Sequence, residues 1–254
     1  MGYYLNNFSD KATSADQVLF WQAELYGNEG DWNEASLTYR KLKSLFPKSV
    51  LTPQVIYNSA LIEYQEISKP NVAKESFVQL ISNYPESEFA GNAQFYLGEL
   101  NENEFRDNNE AIANYRLLVE TYPKNEFAVE ALKRVAELLY DDEKFEEAIT
   151  SYYQIVELYP KDEFSTEALI EIKDIYVGQL ENYLKAIETL KFFADQYKEH
   201  EDAAENLYDA ADMYYDDLNN KQAAIDTYHQ IINNFPDNKY AEWAKDKIKD
   251  LSEE

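Results

Sequence analysis

The sequence predicts an all-α fold, a solenoid of about six stacked helix-turn-helix repeats that a single C-terminal helix closes. Three features predict it: an aromatic-proline pair that recurs at a fixed period, columns of alanine and large apolar residues with the same period, and an apolar spacing typical of helices between them. With 254 residues and 45% apolar content, the chain has enough apolar surface to bury a large core.

The period is visible where an aromatic residue precedes proline. Successive pairs lie 38, 38, 37 and 76 residues apart, and Tyr197-Lys198 divides the last interval into two halves of 38. Because proline ends a helix and a capping side chain follows two residues later, each pair predicts a helix boundary. The pairs are Phe46-Pro47, Tyr84-Pro85, Tyr122-Pro123, Tyr159-Pro160 and Phe235-Pro236, and the predicted caps are Ser49, Ser87, Asn125, Asp162 and Asn238.

Two further columns predict the second helix of each repeat. An alanine stands twelve residues before the second member of each pair, and a large apolar residue follows the alanine by four. Residues four apart share one helix face, so these columns predict a buried stripe. The alanines are Ala35, Ala73, Ala111, Ala148, Ala186 and Ala224, and the large residues are Tyr39, Phe77, Tyr115, Tyr152, Leu190 and Tyr228.

These columns resemble the tetratricopeptide repeat, whose second helix carries a small residue, an aromatic residue four later and a proline twelve later. The first repeat is also similar to the family at Ala23, Tyr26, Gly30, Trp32 and Ala35. The resemblance implies a right-handed superhelix whose concave face binds other proteins. The period exceeds the family's usual length of about 34 residues, because three more residues follow each proline and usually one more lies at the inner turn.

Repeats of such a long period are similar to those of bacterial envelope proteins, namely the tetratricopeptide lipoprotein of outer-membrane β-barrel assembly and the periplasmic coordinator of the Tol-Pal system. This similarity slightly favours the periplasm or cell envelope over the cytoplasm as the location of the protein. It concerns the repeats alone and implies no specific role in either system.

The markers predict one solenoid over residues 1–254. The repeats span approximately 10–47, 48–85, 86–123, 124–160, 161–198 and 199–236, with the closing helix at 239–251. Residues 5–10, LNNFSD, match INNFPD at 232–237, and Ser9 stands 38 residues before Pro47. We therefore expect a piece of a longer array, with Met1 and Gly2 added by a vector; a natural start inside a repeat is the alternative.

The charge of the chain excludes several classes of partner. It carries 49 acidic and 23 basic residues, a net charge of −26, and 31 of the acidic residues lie in 128–254. Nucleic acids and anionic membranes bind clustered lysine and arginine, so neither is expected as a partner. The sequence has no long apolar segment that predicts direct membrane insertion. A protein or peptide with basic and apolar segments is the expected partner, and we expect a monomer.

The sequence does not predict an enzyme, a cofactor or a metal site. Cysteine is absent, and His200 and His229 have no nucleophile or second acid-base group nearby in the sequence. The acidic clusters at 141–143 and at Asp212, Asp216 and Asp217 lack the alternation of a calcium loop, and solvated turns explain them. No glycine-rich phosphate loop is present.

The candidate binding surface follows from the helical register. Positions one, four, five and eight after the eighth residue past each proline predict the core, including Leu97, Gly98, Leu132, Val135, Ala136 and Leu139. The opposite face of the first helices alternates aromatic residues with carboxylates and predicts a groove for extended or helical peptides. It contains Phe20, Glu24, Tyr57, Leu61, Tyr64, Phe95, Glu99, Glu130, Lys133, Glu137, Tyr140, Glu167, Ile170, Asp174, Glu205, Tyr208, Asp212 and Tyr215.

Three other interpretations of this face remain open. It can be ordinary solvated surface, with its tyrosines packed between repeats. Asn58, Lys133 and Arg134 faintly resemble the clamp with which some tetratricopeptide domains bind a carboxyl-terminal tail, although the surrounding acids oppose an anionic ligand. The chain can also be a structural spacer inside a larger protein whose active domains lie outside it. We expect an interaction scaffold in a bacterial envelope assembly.

Overall fold

The structure is a computed structural model that describes residues 14–253, and this part of the chain contains helices and no strand. The predicted match of residues 5–10 and the position of Ser9 lie outside the described residues. The helices are α1 (Ala15–Asn28), α2 (Trp32–Leu45), α3 (Thr52–Gln65), α4 (Pro70–Asn83), α5 (Glu88–Asn103), α6 (Asn108–Thr121), α7 (Ala128–Asp141), α8 (Phe145–Leu158), α9 (Phe164–Gly178), α10 (Tyr183–Gln196), α11 (Ala203–Asp216), α12 (Lys221–Asn234) and α13 (Lys239–Glu253).

The all-α repeat fold is confirmed. Six consecutive helix pairs each lie within one predicted repeat, and α13 follows them as a single helix that ends two residues beyond its predicted end. The chain forms two compact units, residues 1–131 and 132–254. In the first unit the helices α1 to α6 pack in chain order, each against its neighbour within this series, and α3 also packs against α5. In the second unit α8 to α13 pack in the same order, and α11 also packs against α13.

The aromatic residue before each proline ends the second helix in a repeated conformation. Its φ lies between −138 and −117° and its ψ between 48 and 59°, outside the helical region that a following proline disfavours. Tyr197 has this conformation as well, although Lys198 replaces the proline. The turn between one repeat and the next, here called the corner, therefore depends on more than proline. Tyr197 marks a genuine repeat boundary.

The five predicted capping side chains each accept a hydrogen bond from the backbone N–H two residues later. Ser87 and Asn238 lie directly before their helices, whereas three others lie two or three residues before the first helical residue, because a tight turn precedes those helices. The three are Ser49, Asn125 and Asp162. In the sixth repeat His200 Nδ1 accepts from the Asp202 N–H at 3.3 Å, so this histidine serves as a cap.

One residue in the inner turn of every repeat has a positive φ, between 48 and 79°. This left-handed conformation ends the first helix and reverses the chain. The sequence prediction of turns held, but glycine, which adopts this conformation most easily, occurs there only in the first repeat. The six residues are Gly30, Ser68, Arg106, Glu143, Glu181 and Asn219.

The predicted core is confirmed. Each of the six alanines of the second-helix column has no exposed surface, and Tyr115 and Phe77 are equally buried beside them. All six core residues predicted for α5 and α7 are buried: Leu97, Gly98, Leu132, Val135, Ala136 and Leu139.

Gly98 of α5 lies directly against the Tyr115 ring of α6. A Cβ atom at this position would lie 2.4 Å from Cε1 of Tyr115, whose side chain is fully buried. No side chain larger than hydrogen fits there unless the ring moves. One buried polar atom is unsatisfied: the Nδ2 atom of Asn206 has no hydrogen-bond partner among residues 14–253.

We predict that Gly98→Ala destabilises the protein by about 1–3 kcal/mol, because the added methyl group collides with a buried ring that has no space to move. The matched control is Gly178→Ala at the end of α9, where nothing lies within 4 Å of the added Cβ. This control is expected to stabilise the protein by about 0.5 kcal/mol through helix propensity. Chemical denaturation measures both, and an equal effect of the two substitutions contradicts the packing account.

Candidate functional site

The structure distributes the predicted surface residues among three environments. Six are exposed: Glu24, Glu130, Tyr140, Glu167, Asp174 and Glu205. Ten are half-buried: Phe20, Leu61, Tyr64, Glu99, Lys133, Glu137, Ile170, Tyr208, Asp212 and Tyr215. Tyr57 and Phe95 are buried, with 8% and 6% of their surface exposed. These two rings belong to the core, and a partner does not reach them on the folded protein.

The burial of Tyr57 and Phe95 has a common cause. Each packs against the first-helix aromatic residue of the next repeat, which stands four positions after the proline that ends its own repeat. The ring centroids of Tyr57 and Phe89 are 5.3 Å apart, and those of Phe95 and Phe127 are 4.5 Å apart and nearly parallel. Aromatic residues at this position therefore pack across the interface between adjacent repeats.

Buried tyrosines hold two of the predicted acidic residues in place. The Tyr39 hydroxyl, at the second-helix aromatic position, donates to the Glu24 carboxylate, and the Asn58 Nδ2 group donates to the same carboxylate at 3.2 Å. In the sixth repeat the Tyr228 hydroxyl donates to Asp212. Burial, the hydrogen bond and the charge of Asp212 raise the pKa of the Tyr228 phenol, so this phenol stays protonated and remains a donor.

The three residues of the possible carboxyl-terminal clamp make internal contacts. Asn58 binds Glu24, and the Lys133 ammonium group lies 4.5 Å above the centre of the Phe164 ring. Arg134 Nη1 lies 2.6 Å from Glu137 Oε2. Charged groups that already contact the protein's own carboxylate or ring are poorly placed to bind an anionic tail. These contacts do not favour the clamp.

The second unit carries an acidic surface that includes residues of α7 and α9. Burial raises the pKa of the Glu171 carboxyl above its ordinary value of 4.5, and the charges of Asp174, Glu137 and Glu167 raise it further. Lys133 opposes this shift. Because charges interact strongly only over short distances in water, Glu137 of α7 lies close enough to α9 to act on the Glu171 carboxyl.

A further group of carboxylates lies on α11, close to Lys173 of α9. Burial also raises the pKa of the Asp209 carboxyl, with contributions from Glu205 and Asp212, while Lys173 of α9 opposes the shift. Glu171 and Asp209 were absent from the predicted set. Each stands four residues after a predicted carboxylate, Glu167 or Glu205, and therefore on the same helix stripe. A stricter use of this spacing finds both residues from the sequence.

Among residues 14–253, no three histidine, aspartate or glutamate side chains converge in an arrangement that suits a metal ion. The acidic surface of the second unit is consequently spread out rather than focused on one point. None of the helices in the same range combines the length and the apolar character that crossing a membrane requires.

Two tetratricopeptide repeat models match this sequence, one at residues 17–49 and 205–238, the other at residues 104–163. Together the matches span half of the chain. The chain belongs to the tetratricopeptide repeat family. The expected resemblance is thereby confirmed. The matching models describe a helix-turn-helix repeat, not a catalytic domain, and tetratricopeptide proteins use extended surfaces of stacked repeats to bind protein partners.

Among the solved structures that are similar to this chain, MamA resembles it in fold with a TM-score above 0.5. MamA from Desulfovibrio magneticus RS-1 has a TM-score of 0.51 at 12% identity over 75% of this chain and 99% of its own. PilW, a type IV pilus biogenesis factor, has a TM-score of 0.46 at 18% identity over 91% of this chain and 98% of its own. PilF from Pseudomonas aeruginosa has a TM-score of 0.48 at 15% identity over 91% and 97%. No curated protein matches the chain.

We predict that Glu171→Gln stabilises the protein at pH 7 and that this advantage shrinks as the pH falls towards 4.5. The folded-state pKa of Glu171 is raised, so between the unfolded and folded pKa values the folded protein binds more protons than the unfolded chain. Wild type therefore regains stability as the pH falls through the raised pKa, whereas glutamine has no proton to bind. Denaturant midpoints measured from pH 7.5 to 4.5 test this.

The matched control for this prediction is Glu157→Gln on the exposed surface of α8. It removes the same group from the second-helix side of the same unit. If both variants show the same dependence on pH, the first helices of the second unit do not carry a crowded acidic surface.

Proposed function

We propose that this protein is an interaction scaffold that binds a basic, partly apolar segment of a partner protein through the first-helix face of its second unit. The observation that carries the proposal is the mutual influence of the α7 and α9 carboxylates, together with the α11 carboxylates that lie close to Lys173 of α9; it supports an acidic surface across three repeats. Ile170, Tyr208 and Tyr140 lie on the same helices at half-buried or exposed positions and offer apolar contact area.

The chemistry of this face favours cationic partners. Surface carboxylates attract lysine and arginine side chains over distance and repel phosphates, which raises the association rate and selects the partner. Tyrosine adds a large contact area with few rotatable bonds and a hydroxyl group that can bond to a partner. Internal cations neutralise part of the surface, since Arg134 pairs with Glu137 and Lys173 with Asp174.

We further propose a bacterial envelope assembly as the setting, with the periplasm or cell envelope as the location. The support for this setting is the long repeat period, which is similar to that of tetratricopeptide proteins in outer-membrane assembly and the Tol-Pal system. The basic character of the partner is inferred from the charge of the proposed face, whereas the setting is inferred from the repeat period alone. The two parts of the proposal are therefore tested separately.

The test is a comparison of captured partners between wild type and the double variant Glu137→Lys, Asp174→Lys. Both substitutions reverse charge on the proposed face of the second unit, where a basic segment would be repelled. We expect a partner that wild type retains to lose at least about tenfold in affinity, which corresponds to about 1.4 kcal/mol. Purified partner and isothermal titration confirm each pair, and envelope and cytosolic extracts are compared to test the setting.

The matched control is Glu157→Lys, Asp195→Lys, which changes the net charge equally at exposed positions of the second helices α8 and α10. It is expected to bind as wild type does. Equal loss of binding in both double variants indicates a general charge effect. Unchanged binding in the first double variant contradicts the proposed face, and the absence of any partner favours a structural spacer.

A further inference from the structure

Clefts recur beside the corners between repeats, at equivalent places in the chain. Each lies between the beginning of one first helix and the aromatic corner that follows that repeat. The clefts have volumes of about 550 Å³ beside Tyr84, about 620 Å³ beside Tyr122 and about 640 Å³ beside Tyr197. The long stretch after each proline forms part of their walls, so the clefts accompany the extended repeat period of this chain.

The cleft beside Tyr197 differs from the others because one ring of the repeating pattern is missing. A leucine or an aromatic residue stands four residues after each proline of the aromatic-proline pairs: Leu51, Phe89, Phe127, Phe164 and Tyr240. In this pattern Phe89 covers Tyr57, Phe127 covers Phe95, and Phe164 lies under the Lys133 ammonium group. The sixth repeat has Asp202 at this position, so no aromatic side chain stands there to cover the corresponding Ile170; the His200 ring packs edge-on against Phe193 in the same cleft, with centroids 5.3 Å apart.

The walls of this cleft are apolar on the inside and acidic at the rim. Ile170, Phe193 and Tyr197 provide the apolar wall. Carboxylates stand on both sides, Glu163 and Glu167 at the start of α9 and Asp202 before α11. All three carboxylate side chains belong to exposed residues.

Two other charged residues at the rim modify its charge without cancelling it. Lys161 brings one positive charge, and Asp162 brings a fourth carboxylate whose Oδ1 atom accepts the Phe164 N–H at 3.0 Å. The rim therefore retains a net negative charge. His200 Nδ1 accepts the Asp202 N–H and lies 3.7 Å from the Asp202 carboxylate.

We propose that this cleft binds a lysine or arginine side chain of the partner polypeptide, in the place that an aromatic ring occupies in the neighbouring repeats. The aliphatic stem lies along Ile170 and Tyr197, and the cationic group lies between the carboxylates of Glu163 and Glu167 on one side and Asp202 on the other. Long basic side chains combine an apolar stem with a charged end, which matches these walls. The inference rests on the proposed function and deepens it, since Glu167 and Ile170 line both the cleft and the acidic face.

The first-unit clefts are weaker candidates for the same chemistry. In the cleft beside Tyr122, Lys124 opposes Glu88 and Glu126, and the Glu126 carboxylate already accepts a hydrogen bond from Asn92 at 2.9 Å. Phe89 and Phe127 remain in place in that unit and cover the residues that correspond to Ile170.

The experiment observes the Ile170 methyl group by NMR on the full chain labelled with ¹³C at isoleucine methyls. N-acetyl-arginine methylamide and N-acetyl-lysine methylamide are titrated as probes, and N-acetyl-norleucine methylamide serves as the neutral probe with a similar stem. We expect saturable shifts of the Ile170 methyl with both cationic probes and at least about tenfold weaker binding of norleucine, since the carboxylates supply the selectivity. Equal shifts with norleucine, or no shift with either cation, overturn the proposal.

Two variants separate the cleft from other acidic sites. Glu163→Gln with Asp202→Asn removes two charges, and neither side chain makes a capping hydrogen bond that the fold would lose. Asp202→Phe restores the missing ring. We expect the first variant to weaken cation binding at least tenfold, and the second to abolish binding while raising the denaturation midpoint. Loss of binding with a gain in stability cannot come from misfolding.

Retained cation binding in both variants contradicts the cleft assignment. The control Glu157→Gln, Asp195→Asn, which removes two carboxylates from the second helices, must bind the probes as wild type does. The probes require no partner protein, so a negative result with them contradicts the cleft assignment and leaves the proposed function standing. The Glu137→Lys, Asp174→Lys variant tests that function, whereas the Ile170 methyl tests only the cleft.

Discussion

The contact between a small residue of the first helix and a large residue of the second helix is the constraint on which each repeat depends. Gly98 faces the Tyr115 ring so closely that a methyl group does not fit. Equivalent pairs share apolar clusters in other repeats: Ala23 with Tyr39, Ala60 with Phe77, and Ala211 with Tyr228. The fifth repeat reverses the sizes, with Lys173 on the first helix and the smaller Leu190 on the second.

This contact also connects the core with the surface. A tyrosine that fills the contact is long enough to bring its hydroxyl group to a carboxylate of the first helix. Tyr115 donates to Glu102 at 3.0 Å, as other second-helix tyrosines do to Glu24 and Asp212. The side chain that sets the distance between two helices therefore also fixes the position of an acid at the surface. An interaction surface built in this way is rigid at its acidic positions, which lowers the entropic cost of binding a partner.

The sequence predicted the features that lie within one helix or one corner. The period, the helix pairs, the alanine column and the core of α5 and α7 all follow from spacing along the chain, and the structure has them. Helical spacing did not predict the burial of Tyr57 and Phe95, because the rings that cover them, Phe89 and Phe127, belong to the next repeat. Contacts between repeats depend on distances in space that no single helix encodes.

The same limit explains what was missed at the candidate site. The predicted set included Glu167 and Glu205 but left out Glu171 and Asp209, which stand four residues later on the same stripe of the first helices. The cleft beside Tyr197 depends on the replacement of one ring by Asp202, a departure that is visible in the sequence. Its consequence for Ile170 requires the packing between two repeats. The sequence also did not predict which residues of the inner turns have a positive φ, since five of the six are not glycine.

The most direct test of this account is a double-mutant cycle at the contact of Gly98 and Tyr115, measured by chemical denaturation of the single variants Gly98→Ala and Tyr115→Leu and of the double variant. The smaller leucine makes space for the added methyl group. We expect Gly98→Ala to cost at least about 1 kcal/mol less in the Tyr115→Leu background than in wild type. Additive effects of the two substitutions contradict the central role of this contact.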